Sequence, residues 1–228
     1  MRSKSIPGVL AFVALGTCMA CLGGNCEGDD NSSSSLPPPV PVTIRGFWPC
    51  IGPAGTQVTV FRTPNTLSSI MFAGVLAQSS NPTETSVVAT VPTHAVTGSV
   101  SVVDGALRNQ GVSSEPFTVG IDDLVPEIEP NEDINGADAT PMGPRTRGTG
   151  TLNGPGDRDH FRRGCFMTGA RYWVTVTPRV TDTVFVNGTG VALDANGRGE
   201  FVAAANSLLF GMTGGNGDYT MTIGFVSP

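Results

Sequence analysis

A chain of 228 residues with 13 basic and 19 acidic side chains carries a formal charge of -6, which sets up an average repulsion against any phosphate backbone and excludes a basic nucleic-acid binder. Thirty Gly, 18 Pro and only 14% charged residues exclude a helical bundle or coiled coil and describe a loop-rich, strand-forming secreted chain. Two His and five Cys leave little material for a His-built catalytic metal centre, and the length allows one or two domains.

Arg2 and Lys4 precede the apolar run Val9 to Leu15, which ends in small residues and cysteines. That is the order of a secretory signal, and the run is too short to span a bilayer. With Cys18 and Cys21 at its end, residues 1–20 resemble a bacterial lipoprotein signal peptide. The resemblance makes Cys21, preceded by Ala20, the lipid-bearing first residue of the mature chain; Cys18, preceded by Thr17, is the alternative, and an ordinary cleaved signal is the competing interpretation. Leu22 rather than Asp after Cys21 implies, by the same resemblance, an outer-membrane address. Residues 21–40 are Gly, Ser and acidic residues and then three prolines, a composition that buries nothing and forms a flexible tether stiffened at its end. If Cys21 carries lipid, Cys26, Cys50 and Cys165 remain. An odd number in an oxidising compartment leaves at least one without an intrachain partner, and their pairing is open.

From residue 41 to 119 short apolar runs alternate with turn residues: 42–44, 57–61, 86–91, 98–103 and 116–119. No window of helical length shows a 3.6-residue period, so the expectation is an antiparallel β-sandwich. Pro49, Gly52-Pro53-Ala54-Gly55-Thr56, Val58-Thr59-Val60, Ile70-Met71-Phe72-Ala73-Gly74, Val91-Pro92, Gly98, Ser114 and Phe117 follow one another as the landmarks of an IPT/TIG domain do. The segment resembles that immunoglobulin-like family over about 80 residues, which implies a binding or spacer module without an active site. The family's Gly and aromatic after the first long strand are replaced here by Phe61-Arg62-Thr63-Pro64-Asn65.

Residues 122–138 hold seven acidic side chains and no basic one, and 120–132 reads as an acidic linker. Further strands are expected at 171–176, 183–186, 200–210 and 218–226, separated by Gly-rich turns. Glu127-Ile128-Glu129-Pro130-Asn131-Glu132, Gly150, Gly156-Asp157-Arg158-Asp159-His160-Phe161, Gly169 and Gly217-Asp218-Tyr219-Thr220 resemble the ordered landmarks of a bacterial pre-peptidase C-terminal (PPC) domain. The likeness covers residues 124–228 and implies a second, jelly-roll-like sandwich. It departs from the family at His160, where an aromatic such as Tyr is usual, and at Arg163, where an apolar residue is. The whole is therefore expected to be all-β, two antiparallel β-sandwiches behind a signal peptide and tether.

A hard cation takes six to eight oxygens. Glu127, Glu129, Asn131 and Glu132 can supply some of them, the first three on one face of an extended segment, with Asp157 and Asp159 closing from a turn. In calcium-binding relatives the corresponding positions serve that purpose, so the resemblance implies Ca2+ as the cofactor. A solvated hinge is the other interpretation of the same acids. His160 and Asp159 fall on opposite strand faces and form no acid/base pair. In the run 172–177, Tyr172, Val174 and Val176 belong inside, which sends Trp173 outward with Thr175 and Thr177 as candidate ligand contacts; burial of Trp173 under a neighbouring segment is the competing outcome. Trp48 is expected to pack at an edge or between the modules. No G-x-S-x-G, HExxH or Walker pattern occurs, so the chain is expected not to be an enzyme. Three functions remain: a cell-envelope binding lipoprotein for protein or polysaccharide, a structural spacer or assembly subunit of an envelope complex, or an accessory fragment of a secreted hydrolase.

Overall fold

Strand formation follows side-chain alternation. Gln57–Arg62 reads exposed, buried, intermediate, buried, intermediate, buried, and Arg171–Thr177 repeats that pattern around Tyr172, Val174 and Val176. The pleat sends every second residue into a core. The computed structural model describes residues 41–64, 69–103, 108–131 and 137–228. The signal and tether, with Cys18, Cys21 and Cys26, and the expected ligand Glu132 lie outside the described residues.

The first sandwich comprises β1 (Ile44–Trp48), β2 (Ile51–Gly52), β3 (Gln57–Arg62), β4 (Ser69–Phe72), β5 (Val75–Leu76), β6 (Gln78–Ser80), β7 (Ser86–Thr90), β8 (Gly98–Val103) and β9 (Asn109–Val119). Its sheets run β1-β3-β7-β6 and β2-β9-β8-β4-β5, closing over Val58, Val60, Ile70, Phe72, Val100, Val102 and Phe117. The second comprises β10 (Val125–Pro126), β11 (Thr140–Gly143), β12 (Arg147–Asn153), β13 (Arg158–Arg163), β14 (Arg171–Thr177), β15 (Thr183–Val186), β16 (Thr189–Ala192), β17 (Arg198–Val202), β18 (Leu208–Thr213) and β19 (Asn216–Ser227). Its sheets run β10-β12-β19-β14-β17 and β11-β13-β18-β15-β16, over a core that includes Phe161, Tyr172, Phe210, Tyr219 and Met221.

Pairing departs from the antiparallel rule at three sheet edges: β2 on β9, β10 on β12 and β11 on β13 are parallel. Each is a two- to four-residue strand laid down by a passing loop rather than by a hairpin. The apolar run 200–210 also divides, because β17 ends at Val202 and β18 begins at Leu208. The hairpin β15–β16 closes through Asn187 and Gly188, both at positive φ, the two-residue turn that fits the twist of its strands.

Pro38–Pro228 forms one compact unit, and the contacts that join the two sandwiches are specific. Cys50 is disulfide-bonded to Cys165, 115 residues on. The Trp48 ring packs 5.7 Å from Tyr172 and 6.1 Å from Phe225, and Phe61 lies 5.4 Å from Phe225. The departure at Arg163 is explained here. Its fully buried guanidinium sits 4.9 Å from the Trp48 ring centroid and 4.6 Å from that of Phe166, while its Nε donates to the Arg145 carbonyl at 2.7 Å and its Nη2 to that of Pro144 at 3.3 Å. The aromatic faces hold the cation in place of a carboxylate. Asn206 Nδ2 donates to Glu115 Oε1 across the same junction, 2.8 Å away.

A loop of this length gains most from cross-linking in the chain-entropy picture. Replacing Cys50 and Cys165 together with Ser should lower the unfolding free energy by about 2–5 kcal/mol, read as a lower urea midpoint. An unchanged midpoint would show that the aromatic junction alone holds the modules.

Candidate cation site

The linker reaches the second sandwich as a strand. Val125 and Pro126 pair in parallel with Gly148 and Thr149, the Glu127 N–H donates to the Thr149 carbonyl at 2.8 Å, and the Ile128 N–H donates to Thr140 Oγ1 at 2.8 Å. That register turns Glu127 inward over Gly150, where an added Cβ would collide with Glu127 Oε2 and the Tyr219 hydroxyl. The Gly150 landmark is therefore a space requirement: the missing side chain makes room for a carboxylate.

Glu127, Glu129 and Asp159 each bring an oxygen to within 4.8 Å of the others. The linker and β13 meet at this point. Glu127 Oε1 accepts from the Thr151 N–H at 2.8 Å, Glu129 Oε2 from the Asn131 N–H at 3.0 Å, and Asp159 Oδ2 from the Tyr219 hydroxyl at 2.6 Å. Asp159 and Asn131 are fully buried. Glu127 Oε2, Asp159 Oδ1 and both side-chain amide atoms of Asn131 are buried without a hydrogen-bond partner. Unpaired oxygens of this kind cost free energy unless something supplies positive charge, and an all-oxygen donor set is the chemistry of a hard cation. The residues fit calcium: Glu127, Glu129, Asn131 and Asp159 would hold it, and carboxylates bind it through one or both oxygens.

Asp157 does not join them. Its carboxylate accepts from the Asn153 N–H at 2.6 Å and from the Arg158 N–H at 3.0 Å, so it closes the turn before β13, and alternation alone misplaced it. Asn131, by contrast, links two faces of the sheet. Its carbonyl accepts from His160 Nδ1 at 2.8 Å, on the side of β13 opposite Asp159.

Trp173, Thr175 and Thr177 point outward on β14, with Trp173 and Thr175 half-buried and Thr177 exposed. The indole lies flat over Gly224 of β19, where a Cβ would overlap it, and the Arg198 guanidinium stands 5.1 Å from its centroid, held by Glu200 at 3.2 Å. A side chain of the same sheet thus covers the ring. The sequence shows the outward direction but not the Gly224 and Arg198 register that caps it.

Burial pushes the Asp159 carboxyl up to about 8, opposed by the Tyr219 hydroxyl and reinforced by the neighbouring carboxylates of Glu127 and Asp157. Burial, and then the bond to Asp159, raise the Tyr219 phenol far out of its usual range, so it remains a donor. The unfolded carboxyl releases its proton near pH 4, whereas the metal-free folded protein keeps it until about 8. Between those values the native state binds more protons, and stability falls as pH rises. In chelator the melting temperature should decline from pH 5 to pH 8; saturating calcium, which favours the ionised form, should flatten that slope, as should Asp159→Asn without calcium. A flat profile in chelator would show that Asp159 is ionised throughout.

No family model matches the chain, and no curated protein matches it. Among solved structures it is similar to an auxiliary nutrient binding protein from Bacteroides ovatus (TM-score 0.28, 21% identity, covering 36% of this chain and 21% of that one). It is also similar to SGBP-B from a complex xyloglucan utilization locus in Bacteroides uniformis (TM-score 0.33, 10% identity, 82% and 74% covered) and to the extracellular region of plexin A4 (TM-score 0.32, 16% identity, 79% and 16% covered). The chain thus spans about a fifth of the length of the Bacteroides ovatus protein. At TM-scores this low the likeness carries no inference about this chain.

Proposed function

We propose that this chain is a non-catalytic cell-envelope lipoprotein, an IPT/TIG-like module followed by a PPC-like module, which binds polysaccharide or protein at the bacterial surface and uses calcium to fasten its acidic linker to the second sandwich. The observation that carries this reading is the meeting of Glu127, Glu129 and Asp159, with orphaned oxygens on Glu127 and Asp159 and an unpaired buried side-chain amide on Asn131, whose N–H Glu129 holds. A passive hinge has no need of a fully buried carboxylate against it; here Asp159, which the linker acids meet, is wholly out of water. The Cys50–Cys165 disulfide accords with an oxidising compartment outside the cytoplasm. The fixed junction at Trp48, Arg163 and Phe225 favours a second reading, a stiff spacer or assembly subunit of an envelope complex, because such a part must hold its two modules at one angle.

Calcium at 100 times its dissociation constant should stabilise the protein by about 2.7 kcal/mol, seen as a rise in melting temperature. Asp159→Asn and Glu127→Gln should abolish the rise, whereas Asp157→Asn should keep it. A melting temperature indifferent to both calcium and chelator would leave the acids as a hinge. The lipid anchor is tested by mass spectrometry of the native N-terminus: an acylated Cys21 is expected, and an unmodified start would remove the lipoprotein from the reading. Pull-down from envelope extracts, with calcium and with chelator, separates a binding module from a spacer by whether capture depends on the ion.

A further inference from the structure

The outer face of the sheet β11-β13-β18-β15-β16 carries a cavity of about 230 Å3 lined by Arg158, His160, Phe185, Leu209, Gly211 and Thr213. Its centre is Gly211, paired with His160 on one side and Phe185 on the other. A Cβ at Gly211 would stand 2.9 Å from His160 Cδ2 and Nε2, so the imidazole lies over the glycine. One strand further, a Cβ at Gly190 would meet the Phe185 ring at 3.7 Å, so the phenyl leans the same way. Two rings, on strands two spacings (about 10 Å) apart, thus flank the cavity, each seated over a glycine of the next strand. Phe185 is 37% exposed, more than is usual for a phenylalanine.

The polar groups at this cavity define what can fill it. His160 Nδ1 faces the Asn131 carbonyl at 2.8 Å, and since a carbonyl only accepts, Nδ1 carries the hydrogen and Nε2 of the neutral ring is the acceptor. Thr213 offers a hydroxyl of both kinds. The Arg158 guanidinium has no ion-pair partner among the described residues and is a pure donor. A hydrocarbon side chain would desolvate all three without replacement, and an apolar carboxylate would satisfy Arg158 but give nothing to Nε2. A saturated ring with an apolar C–H face and a rim of hydroxyls answers each group: the face against Phe185 and Leu209, a donated hydroxyl to Nε2, and acceptors for Arg158 and Thr213. The volume lies just below the pockets that hold drug-sized ligands and suits a single ring.

We propose that this cavity is a saccharide subsite that takes one pyranose ring of a surface polysaccharide. The assignment rests on the binding-module reading above and gives it a ligand class and an address. It is tested by titrating the 15N-labelled protein, in calcium, with cellotetraose and with tetragalacturonate, and following backbone amide shifts. One or both sugars should shift Gly188, Leu209, Gly211 and Thr213. Phe185→Ser and Arg158→Gln, both at exposed positions, should weaken binding at least tenfold while leaving the spectrum otherwise folded. Galacturonate binding that depends more steeply on Arg158 identifies an acidic sugar; cellotetraose binding that depends chiefly on Phe185 identifies a neutral one. Saccharide binding that survives Phe185→Ser and is lost in Trp173→Ala overturns the subsite but leaves surface binding standing. Absence of shifts with either sugar also overturns it, and the calcium melts then decide the broader reading independently.

Discussion

The second sandwich depends on how three carboxylates are neutralised where an exposed linker acid, a half-buried one and a fully buried Asp159 meet. Glu127 and Glu129 arrive on the linker, Asp159 comes from β13, and their oxygens lie within 4.8 Å. Three negative charges at that separation oppose the docking of the linker, and the fully buried Asp159 is the most costly of them. Two resolutions exist. A proton on Asp159 removes one charge and leaves a hydrogen-bonded acid pair, the state that its raised pKa describes. A divalent cation instead turns the repulsion into attraction and engages the oxygens that lack partners. On the calcium reading proposed above, the same side chains would make linker docking sensitive to both pH and calcium, through one competition between a proton and an ion.

The other constraint is the junction. A buried guanidinium without a carboxylate partner is rarely stable, yet Arg163 has Trp48 on one side, Phe166 on another and two backbone carbonyls within reach. Burial lowers its pKa to about 10, still well above neutral pH, so the charge persists. Trp48 belongs to the first sandwich and the other groups to the second, so removing the indole would expose a cation as well as an apolar contact. The disulfide fixes the same corner covalently. Rigid attachment at this end and an ion-dependent linker at 127–131 would give the pair of modules one pose.

Much of this was legible in the sequence where the information is local. Alternation placed Tyr172, Val174 and Val176 inside and Trp173 outside, as the burial of β14 shows, and the acid-rich 127–131 segment and Asp159 do converge. What escaped was information carried by register. The break inside 200–210 falls in an Ala-rich stretch without Gly or Pro to mark it. Asp157 and Asp159 share parity, but only the folded turn shows that Asp157 is taken up by backbone N–H groups. Composition cannot announce a disulfide across 115 residues when three cysteines are candidates, nor a buried arginine one of whose ring partners, Trp48, comes from the other sandwich. Glycines 150, 211 and 224 look like turn residues in a list; their neighbours across the sheet make them seats for a carboxylate, an imidazole and an indole.

Asn131 gives these parts a common element. Its N–H is held by the Glu129 carboxylate, its carbonyl holds the His160 ring, and its side chain is buried with neither amide atom satisfied. Whatever fixes the linker acids on the inner side of β13 therefore also fixes the backbone that orients His160 on the outer side. An imidazole released from Asn131 would be free to rotate off Gly211, the floor of the cavity would no longer have a wall, and Nε2 would lose its defined role as an acceptor. An ion bound at Glu127, Glu129 and Asp159 would in this way act on a ligand it never touches, by removing the freedom of one residue that both sites share. Because such coupling is reciprocal, a saccharide seated against His160 would tighten the hold on calcium by the same factor that calcium tightens the hold on the saccharide.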